Sequence, residues 1–317
     1  MKQDRRSPSV SDQTFSWVMR LGVMVLAIGV AAFGFMYYQD QHVDAGPSLV
    51  DRQIQGAEAA VEKAPNNVET RLQLAAAYTT NKRPDDALAQ YDEVLKADKA
   101  NRPALLGAGA ILIAKGDLAA AAVDYHKITD VAAKGEFAGA DPQAQQAHYF
   151  LGSIAVKQGK TAVAVKELSA ALSIDSTDSD SLYLMGIVQL KQGSTQRAVD
   201  SFKTALQFVP TGWCEPYSQL NVAYTKLGNA PEAAYAAGMA NFCHNKAVEA
   251  KAQLKSLIKG PVAVDALLGL ALIAETESNN AEAVTWYKQV LTVDRKNVAA
   301  TSALTRLAAG PTTSSTK

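Results

Sequence analysis

Segments beginning at Val68, Arg102, Gln145, Ser179, Cys214 and Val264 superpose when the chain is shifted on itself, and starts such as Val68 and Arg102, or Gln145 and Ser179, lie 34 residues apart. A period of this length constrains the fold more than any local propensity. Each unit is one supersecondary element that buries its apolar face only by stacking on the next. Small residues recur at the eighth place as Ala75, Gly109, Gly152, Gly186 and Ala271, with Asn221 as the exception. Glycine recurs at the fifteenth as Gly116, Gly159, Gly193 and Gly228. Alanine fills the twentieth as Ala87, Ala121, Ala164, Ala198, Ala233 and Ala283. A ring or leucine fills the twenty-fourth as Tyr91, Tyr125, Leu168, Phe202 and Tyr287, with Ala237 departing.

The columns predict a helical hairpin per unit. Apolar residues at helical spacing occupy the first fourteen places, a Gly-containing turn follows, and a second amphipathic run ends near Asp or Pro. Hydrophobic residues make up 48% of the chain but aromatics only 7%, and abundant alanine favours closely crossing helices over a sheet. Small residues at places eight and twenty permit the crossing, and the ring at twenty-four fills the gap to the next unit.

This pattern resembles the tetratricopeptide repeat family from about Val68 to Asn297. The fourth unit carries the likeness best, through Leu182, Met185, Gly186, Ala198, Phe202, Ala205 and Pro210, although the family's opening Trp is absent. The resemblance implies an all-α fold: a TPR-type right-handed α-solenoid of antiparallel helix pairs, about six repeats over residues 68–297, and an apolar run nearer the amino end is expected to precede it as one transmembrane helix. Extra residues including Lys134, Gly135, Glu136, Phe137, Gly139 and Pro142 separate the second and third units as a loop or an extended helix end. Ala250, Leu254, Leu257 and Ile258 suit an extra helix near 247–260, stopped by Gly260 and Pro261. Within residues 39–67 a linker leads to a capping helix from Ser48 to Glu62. At the other end, 298–317 hold a capping helix over Val298 to Leu307 and a disordered polar tail.

From Leu21 to Tyr38 runs an 18-residue stretch without a charge. At about 1.5 Å per residue it reaches the hydrocarbon thickness of a bilayer. Trp17, Tyr37 and Tyr38 flank it as interfacial rings. Lys2, Arg5, Arg6 and Arg20 precede it, whereas Asp40, His42, Asp44 and Asp51 follow with only Arg52 nearby. This asymmetry keeps residues 1–20 in the cytoplasm and makes 21–38 a signal anchor in contact with the lipid bilayer. A cleaved signal peptide is the alternative, disfavoured by the bulky Phe35, Met36, Tyr37 and Tyr38 and by the lack of a clear A-x-A site. The expected address is a bacterial inner membrane, single pass, with the array extracytoplasmic.

Catalytic signatures are sparse. His42, His126, His148 and His244 form no H-E-x-x-H motif, no phosphate loop occurs, and the glycine of GAGAIL at Gly107 is read as a helix contact. No metal site, cofactor or enzyme activity is expected, and Lys+Arg 31 against Asp+Glu 31 removes the basic field that nucleic acid requires. Cys214 and Cys243 stand at the two ends of the fifth unit, and an antiparallel hairpin brings its first and last residues to one end. A disulfide is therefore expected, which suits an oxidising compartment. Two buried thiols, a metal site with His244 and a single-cysteine haem attachment at Ala240 to His244 are the competing readings.

In the tetratricopeptide family the concave groove is lined by first helices. The resemblance places Leu72, Leu106, Tyr149, Tyr183 and Ser218 along one inward row and Lys157, Lys191 and Lys226 along another, with Asp180, Glu215 and Asp265 at the opposite helix ends. Such a groove would grip a peptide or helix of another protein, the rings supplying area and the lysines attracting carboxylates. The family's carboxylate clamp is not reproduced. The function expected is a membrane-anchored scaffold for assembly or quality control of envelope complexes, as in c-type cytochrome maturation or translocon-associated chaperoning. An assembly factor for a pilus or secretion machine, and a redox or enzymatic protein with an unrecognised site, are the alternatives.

Overall fold

The computed structural model describes residues 29–38, 48–208 and 212–309, and helices account for nearly all of them, with no strand among the described residues. Two compact units divide the chain, Met1–Lys63 and Ala64–Lys317. In the first, residues 29–38 form α1 and Leu49–Lys63 form α2. The α1 side chains, including Phe33, Phe35 and Met36, are exposed. Residues 21–28 of the apolar run lie outside the described residues, and no described helix is long and apolar enough to cross a membrane. His42 and the tail from 310 also lie outside them.

The second unit is a stack of hairpins: α3 (Val68–Thr80) with α4 (Pro84–Ala97), α5 (Arg102–Lys115) with α6 (Leu118–Ala132), α7 (Pro142–Lys157) with α8 (Thr161–Ile174), and α9 (Ser179–Lys191) with α10 (Thr195–Phe208). After these come α11 (Cys214–Leu227), α12 (Ala230–Cys243), α13 (Ala247–Leu257), α14 (Ala263–Thr276), α15 (Asn280–Val293) and α16 (Val298–Ala308). Asn67, Asn101, Asp141, Asp178 and Asn297 each stand before a helix, and their side chains accept from first-turn amides. That satisfies donors which a helix start leaves without partners.

The repeat columns are packing positions. A methyl on Gly186 would stand 2.5 Å from Phe202 Cε1, and one on Gly152 would stand 2.7 Å from Leu168 Cδ2, so the small residue at place eight exists to admit the bulky one at twenty-four. That bulky residue then reaches the following unit: Tyr125 stacks on Phe150 with ring centroids 4.9 Å apart, and Tyr91 lies against Gly107. The GAGAIL glycine is thus a place where a neighbouring ring seats. Between α6 and α7 the extra residues form a short loop with one 3₁₀ turn, Ala138–Ala140, and α7 begins at Pro142, three residues before the start expected at Gln145.

The extra helix expected near 247–260 is present as α13. The helix near 247–260 is not an insertion outside the pattern but the second half of a hairpin in register, whose first half is α12. Counted from Pro231, place eight is Gly238, place fifteen is Asn245 with a left-handed φ of 62°, place twenty is buried Ala250 and place twenty-four is buried Leu254. A methyl on Gly238 would meet Leu254 Cδ2 at 3.1 Å, and Leu254 in turn reaches Gly269 of the following unit. Helix α12 therefore closes the hairpin opened by α11 and opens the hairpin closed by α13. First helices otherwise stack on the preceding first helix, α5 on α3, α7 on α5, α9 on α7 and α11 on α9, and α14 stacks on α12. Within the α11 and α12 hairpin the size pattern is inverted. Asn221 occupies place eight and its amide donates to the Ala233 carbonyl at 2.8 Å, with Ala237 at place twenty-four.

At the C-terminal end α16 buries Ala300 and Ala303 against α15. Glu275 of α14 accepts from the Tyr287 hydroxyl at 2.6 Å and from Arg306 at 2.6 Å, which ties the last three helices together.

Candidate functional site: a tyrosine-lined first-helix groove

Leu72 on α3 and Leu106 on α5 are half-buried, as are Tyr149 on α7, Tyr183 on α9 and Ser218 on α11. Ser218 donates its hydroxyl to the Cys214 carbonyl at 3.2 Å, a bond within its own helix. Tyr149 lies near Asp178 and Asp180 at the start of α9, and burial together with these carboxylates pushes its hydroxyl up to about 12. Tyr183 packs against Phe202 at 5.8 Å and Trp213 at 5.2 Å between ring centroids, with Glu215 of α11 nearby. Each tyrosine therefore meets the acidic start of the following unit. Burial and the neighbouring Asp178 raise the Asp180 carboxyl above its ordinary value.

Lys157, Lys191 and Lys226 are exposed in the last turns of α7, α9 and α11. Eight residues of helix separate Tyr149 from Lys157, about 12 Å along the axis. The groove thus has two unlike edges. Carboxylates and rings stand at the helix starts, and ammonium groups at the helix ends, each sign placed where the helix dipole favours it. Trp213 at this edge escaped the sequence reading because it belongs to the linker before α11, outside the repeat columns.

Asp265, at the start of α14, lines a cavity with residues of α10, α11 and α12. Lys203, Tyr217 and Tyr235 share that cavity, and burial raises the Asp265 carboxyl above its ordinary value, with Lys203 opposing and Glu232 adding to the shift. Cys214 and Cys243 are joined by a disulfide with Cα atoms 5.3 Å apart, closing the α11 and α12 hairpin at one end. His148 and Glu167 sit together in the third unit, the imidazole Nδ1 donating to Glu167 Oε2 at 2.8 Å. Lys166 lies 3.6 Å from the same carboxylate. No group of three or more potential metal ligands occurs among the described residues.

A tetratricopeptide repeat model matches residues 72–128, 131–179, 155–212 and 235–299, more than half of the chain. The chain belongs to the tetratricopeptide repeat family. The last match begins inside α12 and runs through α13, so it includes the shared-helix hairpin described above. Among solved structures, MamA is 23% identical, with 56% of this chain and 97% of that chain covered and a TM-score of 0.48. The anaphase-promoting-complex hetero-tetramer Cut9–Hcn1 is 18% identical, with 82% of this chain and 46% of that chain covered and a TM-score of 0.51. A tetratricopeptide repeat protein from Parabacteroides merdae is 15% identical, with 80% and 91% covered and a TM-score of 0.46. At such identities the likeness is one of fold. No curated protein matches the sequence. Tetratricopeptide arrays mediate protein–protein contact, and this chain is a helical-hairpin solenoid of that class.

Proposed function

We propose that the chain is a single-pass membrane scaffold whose first-helix groove holds a segment of another protein on the extracytoplasmic side of a bacterial inner membrane. The observation that carries the reading is the groove itself, with Tyr149, Tyr183 and Trp213 beside Asp178, Asp180 and Glu215 at one edge and Lys157, Lys191 and Lys226 at the other. Rings supply contact area at small entropic cost, and opposite charge at the two edges orients what lies between them. The uncharged run Leu21 to Tyr38 with basic residues before it supports the anchor and its orientation. The Cys214–Cys243 bond supports an oxidising compartment. Tethering confines the array to a membrane plane and raises its effective concentration for envelope partners. The service performed is assembly or quality control of envelope complexes, of the kind met in c-type cytochrome maturation or translocon-associated chaperoning.

Crosslinking from the native membrane tests both parts. Wild type captures a defined envelope partner, and Tyr149→Ala with Tyr183→Ala abolishes capture while helix content stays unchanged. Undiminished capture by the double variant rejects the groove, and recovery of pilus or secretion components replaces the assignment with machine assembly. An alkaline phosphatase fused after Lys317 is active if the array is extracytoplasmic. A silent phosphatase with a fluorescent cytoplasmic reporter at the same position overturns the address.

A further inference from the structure

A cavity of about 210 Å³ lies between α10, α11, α12 and the start of α14. Lys203, Leu206 and Gln207 of α10 form one wall, Glu232 and Tyr235 of α12 the other, and Tyr217, Leu220 and Tyr224 of α11 the floor, with Val262 and Asp265 at one end. The cavity lies against the α11 face that carries Tyr217, Leu220 and Tyr224, and the groove residues Tyr149, Tyr183 and Ser218 do not line it. It is an order of magnitude larger than the roughly 10–15 Å³ that one water needs.

Its polar inventory is unbalanced. Asp265 and Glu232 make no hydrogen bond or ion pair with any described residue, and neither Tyr224 nor Tyr235 has a hydrogen-bond partner among them. Three phenol rings and two carboxylates face one ammonium, that of exposed Lys203. Tyr235 is packed into the main core cluster, and burial holds its hydroxyl well above the usual tyrosine range, the carboxylate of Asp265 contributing. Two carboxylates facing a single ammonium leave an excess of negative charge that attracts a cation, and aromatic faces favour one that is organic and weakly hydrated.

We propose that this cavity is a binding site for an organic cation, a guanidinium or alkylammonium group, with Asp265 and Glu232 as counter-charges and Tyr217, Tyr224 and Tyr235 as its ring walls. Leu206, Leu220 and Val262 receive the alkyl stem. Lys203 is the resident competitor, close enough to Asp265 to weaken binding and exposed enough to swing away. None of Tyr149, Tyr183, Trp213, Lys157, Lys191 and Lys226 lines this cavity, so its occupant is recognised by a different set of residues.

The test is calorimetric titration of the full-length chain in a non-ionic maltoside with agmatine, with the capped peptide acetyl-Ala-Arg-Ala-amide, and with glutarate as the anionic control. Agmatine or the peptide binds saturably and glutarate does not. Asp265→Asn weakens binding by about tenfold or more, and Lys203→Met strengthens it, because each change alters one charge facing the ligand. Binding of the peptide alone assigns the cation to a polypeptide side chain, whereas binding of agmatine admits a small amine; either supports the site. Unchanged helix content in Asp265→Asn excludes a folding defect, and should that variant fail to fold, the sign of the Lys203→Met effect decides. No saturable cation binding, equal affinity in Asp265→Asn, weaker binding in Lys203→Met, or binding of glutarate overturns the proposal.

Discussion

Substituting Gly186 by alanine isolates the packing rule on which the array is built. The new methyl would lie 2.5 Å from Phe202 Cε1 and 2.8 Å from Cδ1 and Cζ. Carbon pairs rest at roughly 3.5–4.0 Å, so the ring must retreat by about 1 Å. Phe202 is 0% exposed, which leaves the ring no solvent to move into. Overpacking of this kind costs about 1–3 kcal/mol, and the better helix propensity of alanine returns about 1 kcal/mol. The net expectation is a loss of about 1 kcal/mol, read as a lower urea midpoint by far-UV circular dichroism. Phe202→Ala in the same background removes every side-chain atom that clashes, so the double variant is more stable than the sum of its parts by about 1 kcal/mol. A raised midpoint for Gly186→Ala, or additive single effects, would show that place eight is small for some reason other than the residue at twenty-four.

Reducing the Cys214–Cys243 bond frees a loop whose ends are 29 residues apart. The chain-entropy relation values this closure at about 3.6 kcal/mol, so dithiothreitol lowers the unfolding midpoint of wild type and leaves that of a Cys214→Ser, Cys243→Ser variant unmoved. The buried Glu167 carboxyl is held below its ordinary 4.5, chiefly by the hydrogen bond from His148, so its folded value is the depressed one. The stability it contributes is full above that ordinary value and drains away as pH falls through the lowered one. The stability difference between wild type and Glu167→Gln is therefore flat above the ordinary carboxylate range and shrinks on acidification, and a difference that grows on acidification refutes the assignment.

The hairpins were legible in the sequence because their contacts are local in register. Gly186 and Phe202, or Gly152 and Leu168, sit at fixed offsets within one unit, and the left-handed turn favours glycine, present as Gly116, Gly159, Gly193 and Gly228. Asn245 makes the turn of the α12 and α13 hairpin without glycine, as Lys82 and Ser278 do in units that the period revealed, so its phase rather than its turn hid it. Gly238, Ala250 and Leu254 also stood half a period out of phase with the columns being compared. The neighbours of Tyr149 and Tyr183 were equally illegible. Which charge faces a ring depends on how one unit sits on the next, and the structure puts the carboxylates of Asp178, Asp180 and Glu215 there, with the lysines a helix length away.

Helix α12 sets a limit on what the array can hold. A strand or helix laid along α3, α5, α7, α9 and α11 runs out of track at α11, because the following first helix stacks on α12. A ligand of the groove is measured off at five units, however long its own sequence, and whatever engages the last two hairpins must do so from another direction.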